Sequence, residues 1–162
     1  MSLNPPLLAE GKLPPSTLAA ADAEGQSIAT IGDILRLDRV DIAATVGPRV
    51  EQVPIKLGWT VLGPLPCDCK LFIHLVRGLG EQPLAQVDEP VLAGRYPGRL
   101  WAAGEWLDDE HSLALPPDLA PGRYHLLLGL YDSSTGRRLP VHHPGDPQPS
   151  DLLDLGELVV DR

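Results

Sequence analysis

The chain has no apolar run approaching the roughly 20 residues that a membrane-spanning helix needs. Positive charge is scarce as well: 13 Lys and Arg stand against 22 Asp and Glu, a net charge of −9 in 162 residues. A nucleic-acid surface needs clustered cations for phosphate contacts. The nearest candidate, Arg137-Arg138, is only a pair at a turn, so nucleic acid is not an expected partner. An anionic membrane surface is disfavoured for the same reason. The N-terminus shows no basic stretch followed by an apolar core and so carries no export address as it stands. Met1-Ser2-Leu3 resembles a vector-derived start, and a natural chain that begins further upstream is expected. Any membrane attachment would then run through segments outside this sequence.

Cysteine and catalytic motifs are equally sparse. Cys67 and Cys69 are the only thiols. In an extended segment, residues two apart lie about 7 Å from each other, at the edge of what a disulfide can bridge. Two thiolates make at most half of a zinc site, so both are expected to be incidental loop residues that do not report a redox compartment. There is no G-x-S-x-G elbow, and neither cysteine has an evident histidine partner. Gly78-Leu79-Gly80 is not followed by the glycine or helix of a phosphate loop. His142 and His143 would diverge on a strand, with no further ligand at chelating spacing. His74 falls on an apolar strand and His125 beside Tyr124, where packing or hydrogen bonding is the expected role. The expectation is a protein that is not an enzyme and has no cofactor or metal.

What the chain does have is 18 prolines and 16 glycines spread between short apolar runs, the composition of many strands joined by many turns. Residues 1–27, with Pro5-Pro6 and Pro14-Pro15, read as an extended lead-in or linker, partly disordered. Residues 28–162 read as an all-β domain. From Glu51 to Leu62, Val53, Ile55, Leu57, Trp59 and Val61 alternate with Gln52, Pro54, Lys56, Gly58 and Thr60, the period of a strand with one buried face. Pro54, without an N–H, asks for an edge position or a bulge. A change of apolar phase near Asp38-Arg39 predicts another bulge. Lys70 to Arg77 is apolar on both faces and suits a central strand. Further strands are expected near Leu84–Asp88, up to Leu115, over Tyr124–Tyr131, Arg138–His142 and Leu153–Val160. The resulting fold class is an immunoglobulin-like Greek-key β-sandwich of about eight antiparallel strands.

Aromatics make up only 4% of the residues, so each one can be weighed. Trp59 shares its phase with four aliphatics and is expected in the core, where burying about 200 Å² stabilises the fold by on the order of 5 kcal/mol. Tyr124 follows a Pro-Gly corner and opens the strongest strand, as in the tyrosine corner of Greek-key sandwiches, where the hydroxyl bonds backbone across the connection. Trp101 follows a glycine-rich loop, where it could cap one end of the sandwich or stand exposed for recognition. Trp106 is out of phase with Leu107, Leu113 and Leu115, and it is expected outside the core with Tyr96. Tyr96, Trp101 and Trp106 therefore form a candidate aromatic platform for carbohydrate. Asp108-Asp109-Glu110 cannot wrap a calcium ion alone, because its middle residue points the other way; a solvated edge or hairpin tip is expected.

Several segments then fall into a familiar order: Leu57-Gly58-Trp59, Lys70-Leu71-Phe72-Ile73-His74-Leu75-Val76, Ala85-Gln86-Val87-Asp88, Trp101-Ala102-Ala103-Gly104-Glu105, Pro121-Gly122-Arg123-Tyr124 and Gly129-Leu130-Tyr131-Asp132. This set resembles the extracytoplasmic β-sandwich domain appended to bacterial mannosyltransferase-type membrane glycosyltransferases, over about residues 28–160. The chain departs from that pattern at Cys67-Asp68-Cys69 and at Trp106. The resemblance implies a non-catalytic accessory or interaction domain on the outer face of the cytoplasmic membrane, with carbohydrate or another protein domain as partner. The alternative is a carbohydrate-binding module built on the aromatic platform.

Overall fold

The computed structural model describes residues 27–161; the lead-in expected over residues 1–27 lies, apart from Ser27, outside them. Ten strands are described, two of them only two residues long: β1 (Ala29–Ile31), β2 (Leu35–Asp41), β3 (Thr45–Val46), β4 (Gln52–Val61), β5 (Cys69–Val76), β6 (Ala85–Glu89), β7 (Trp106–Ala114), β8 (Gly122–Asp132), β9 (Val141–His142) and β10 (Leu153–Val160). They form two five-stranded sheets, ordered β7-β4-β2-β1-β9 and β3-β10-β8-β5-β6. The fold is an all-β sandwich, because each sheet has one apolar face and the two faces close on a common core. Every pairing is antiparallel except β3 with β10, which run parallel.

The alternation in β4 places Val53, Ile55, Leu57, Trp59 and Val61 in the core, all at most 2% exposed. β5 lies between β8 and β6 and buries both faces: Leu71, Ile73 and Leu75 inward, Phe72 and Val76 outward. The phase change near Asp38 is a bulge, since Leu37 pairs with Trp59 while Arg39 pairs with Gly58, leaving Asp38 as the extra residue. Pro54 sits beyond the end of the β2–β4 ladder, which stops at Asp41 and Lys56. It pairs only with Ser112 of β7, so its missing donor faces no neighbouring strand.

One expectation is revised. The segment from Arg138 to His142 does not form a strand beside β8. After a single bridge between Tyr131 and Arg138 the chain crosses to the other sheet, where Val141 and His142 pair with β1. Trp101 lies in the loop before β7. It follows a single 3-10 turn, Gly98–Leu100, and β7 begins at Trp106.

Both sheets also carry an aromatic ring laid over a glycine on the outer face. A Cβ on Gly58 would come within 2.5 Å of the Trp106 ring, and one on Gly129 within 2.4 Å of the Phe72 ring. Only glycine lets the rings lie this close, and the rings in turn shield backbone that glycine leaves bare. The Phe72 ring is covered from above by the Arg138 guanidinium at 4.6 Å and flanked by His74 at 4.7 Å.

Candidate functional site

The densest group of titratable side chains joins the two sheets along one open side of the sandwich. β7 ends the first sheet and β6 lies at the end of the second. On β7 the inward phase runs Leu107, Asp109, His111, Leu113, so a carboxylate and an imidazole occupy two core positions. Both side chains are fully buried. His111 Nε2 lies 2.8 Å from Asp109 Oδ2, and His111 Nδ1 is hydrogen-bonded to Glu89 Oε2 at the end of β6. Asp109 also accepts the Trp59 indole N–H at 3.1 Å and the Leu92 backbone N–H at 2.8 Å. Burial alone would favour a neutral ring. The hydrogen bonds and charges of Asp109 and Glu89 outweigh it, and the His111 pKa is raised above its usual 6.5.

The Leu92 bond has a second role. Leu92 and Ala93 have φ of +59° and +53°, the left-handed region that side chains with a Cβ adopt reluctantly. The Asp109 carboxylate holds the Val91–Gly94 turn in that shape. Val91 and Gly94 line a cleft of about 440 Å³ whose other walls include Leu65, Pro66, the Cys67–Cys69 pair, Asp68, Tyr96, Arg99 and Trp101.

The loop on one side of this cleft is tied internally. Trp101 Nε1 donates to the Tyr96 carbonyl at 3.0 Å, and the Tyr96 hydroxyl donates to Glu105 Oε1 at 2.7 Å. Burial, followed by the Glu105 hydrogen bond and charge, pushes the Tyr96 pKa up to about 12. Gly98 lets the loop press on Leu65, since a Cβ there would come within 2.6 Å of the Leu65 side chain. Facing it, Cys67 and Cys69 are joined as a disulfide. They are not the incidental free thiols expected from an extended chain. A bend at Cys67 brings the two Cα atoms to 5.2 Å, well inside bridging range.

The three aromatics of the expected platform are not brought together. Tyr96 and Trp101 share the cleft, but Trp101 is only 4% exposed and caps the core. Trp106, half-buried, lies on the outer face of the first sheet over Gly58, with its indole N–H on Asp108 at 3.2 Å. Trp59 is fully buried and belongs to the Asp109 network. Tyr124 is fully buried too; its hydroxyl donates to the Ala120 carbonyl and accepts from Arg77 Nη2 at 3.0 Å. Asp109, His111 and Glu89 were missed from sequence. The available signal was that Asp109 and His111 continue the inward phase of Leu107 and Leu113. Among the described residues no group of three or more His, Cys, Asp or Glu side chains is arranged to hold a metal ion. No known family model matches the chain, and no curated protein matches it.

Proposed function

We propose that the chain is a non-catalytic accessory and interaction domain with an immunoglobulin-like Greek-key path, part of a larger extracytoplasmic bacterial protein. The observation that carries this reading is the Glu89–His111–Asp109 network, in which only Glu89 keeps exposed surface. A histidine between two carboxylates is the part list of an acid–base site, yet here the His111 and Asp109 side chains have no exposed surface. Asp109 spends its acceptor capacity on Trp59, Leu92 and His111. Such a group ties one sheet to the other and turns neither His111 nor Asp109 toward a substrate.

The path supports the finer fold reading. Strands β4, β5, β7, β8 and β10 correspond to strands B, C, E, F and G of an immunoglobulin-like domain, and Tyr124 occupies the corner between the E-like and F-like strands. The disulfide favours an oxidising compartment. The resemblance to domains appended to mannosyltransferase-type membrane glycosyltransferases supplies the expected class of parent protein. Protease added to spheroplasts of native cells should digest the domain, as followed by antibody; protection until the membrane is broken would refute the extracytoplasmic reading.

A second reading, a glycan-binding module, is favoured by the cleft lined by Tyr96, Trp101, Arg99 and Asp68. Oligosaccharides should then perturb Trp101 fluorescence, and Tyr96→Ala should abolish the response. Silence across a broad glycan panel would remove this reading and leave the first intact.

A further inference from the structure

The geometry points to an alkaline-opening latch in which proton loss from His111 releases β6 from β7 and loosens the cleft wall formed by the Val91–Gly94 turn. Both ring nitrogens face carboxylate oxygens, Nδ1 toward Glu89 and Nε2 toward Asp109. Only an imidazolium donates to both. A neutral ring presents one lone pair to an oxygen lone pair, so one of the two bonds must open.

The structure also shows which bond gives way. Asp109 is fully buried, lies two residues from His111 on the same strand, and is held by the Trp59 indole and the Leu92 amide. The Glu89 side chain is 40% exposed and can turn toward water. Its departure removes the side-chain link between β6 and β7. Glu89 directly precedes Pro90, so its release also frees the entry to the left-handed turn at Leu92 and Ala93. Across the sheets the turn then keeps the bond from the Leu92 amide to Asp109 and the packing of Val91 in the core, and Val91 and Gly94 line the cleft.

The charged groups that face the ring are few. Asp109 comes from its own strand and Glu89 from β6. β4 places Ile55 opposite His111 in register and offers the Trp59 indole to Asp109, while the turn contributes the Leu92 N–H. The two carboxylates raise the His111 pKa in the folded state. The latch is therefore complete below the unfolded value near 6.5 and is lost as pH rises through the higher folded value. This device goes beyond the accessory-domain reading and stands without it.

The test is NMR on the whole chain, titrated from about pH 5 to 10. Long-range imidazole correlations should show His111 protonated on both nitrogens at the acid end of the titration. The Leu92 amide and Trp59 indole signals should move with the same midpoint. Exchange of the Leu92 amide, corrected for its intrinsic pH dependence, should accelerate about tenfold per pKa unit of differential proton binding, while the amide of Leu128 in the core strand β8 stays protected. In Glu89→Gln, a side-chain amide can pair with a neutral ring, so the acceleration should disappear. A His111 that is neutral at pH 5, flat Leu92 exchange across the titration, or an undiminished pH response in Glu89→Gln would each overturn the latch. If Glu89→Gln does not fold, the wild-type titration decides alone.

Discussion

Removing the Asp109 carboxylate is the most direct probe of the link between the sheets. In Asp109→Ala, three donors lose their acceptor: the Trp59 indole N–H, the Leu92 amide and His111 Nε2. An orphaned buried donor costs about 1–3 kcal/mol. The Leu92 amide lies near the surface and can recover a water, so it counts at the low end. His111 regains a neutral ring by shedding a proton, which limits its share. The expected loss is about 3–5 kcal/mol, the usual cost of breaking a buried charged pair. Asp109→Asn keeps the shape and one acceptor oxygen, and should lose about half as much. Asp108→Ala is the control, one residue away on the exposed face and bonded only to the Trp106 indole; it should cost under about 1 kcal/mol. Urea unfolding followed by tryptophan fluorescence reads all three, with Tm falling by roughly 3–5 °C per kcal/mol in a domain of this size. If Asp109→Ala matches the Asp108→Ala control with an unchanged m-value, the network is not a tie and the case for a structural role collapses.

Tyr124→Phe keeps the ring but removes the bond to the Ala120 carbonyl and the acceptor for Arg77; about 1–2 kcal/mol should be lost in the same urea assay. The Cys67–Cys69 disulfide closes a ring with one intervening residue, so loop entropy accounts for roughly 1.6 kcal/mol. Cys67→Ala/Cys69→Ala should fold with a stability loss close to that figure, and a collapse of the fold would contradict it. His74 is held below its usual pKa by burial first and then by Arg138, against the pull of Asp88. Its contribution is thus present above about pH 6.5 and lost as pH falls through the lower folded value. His74→Gln should flatten the acid side of the Tm-against-pH curve, and an unchanged acid limb would refute this assignment.

Much of the sandwich was legible because strands advertise themselves by period. Val53 to Val61 alternate strictly, and a half-buried strand is the arrangement that satisfies such a pattern. The Asp38 bulge was visible as a phase slip for the same reason. For Trp101 the sequence offered both a cap on the sandwich and a platform residue; it lies in the loop before a strand, where no phase decides between them, and the fold makes it a cap. Asp108-Asp109-Glu110 was read as a solvated run, although alternation already turned its middle residue inward. Charge suggested water, and only a partner could make burial affordable. The partners of Asp109 are His111 two residues on, the Trp59 indole and the Leu92 amide, and the second carboxylate on His111, Glu89, lies 22 residues away on the other sheet.

Sequence alone therefore determined the all-β class of fold and the inward phase of β4, because both follow from local periodicity and turn chemistry. It also placed a tyrosine after the Pro-Gly corner, within reach of the backbone four residues back. Tertiary structure alone decided which edge of one sheet meets which edge of the other, and with it the meeting of Glu89 and His111. It also decided the bend that joins Cys67 to Cys69 and the cleft walled by the Val91–Gly94 turn. Contacts between distant segments depend on how two sheets stack, and no local pattern of residues encodes that stacking.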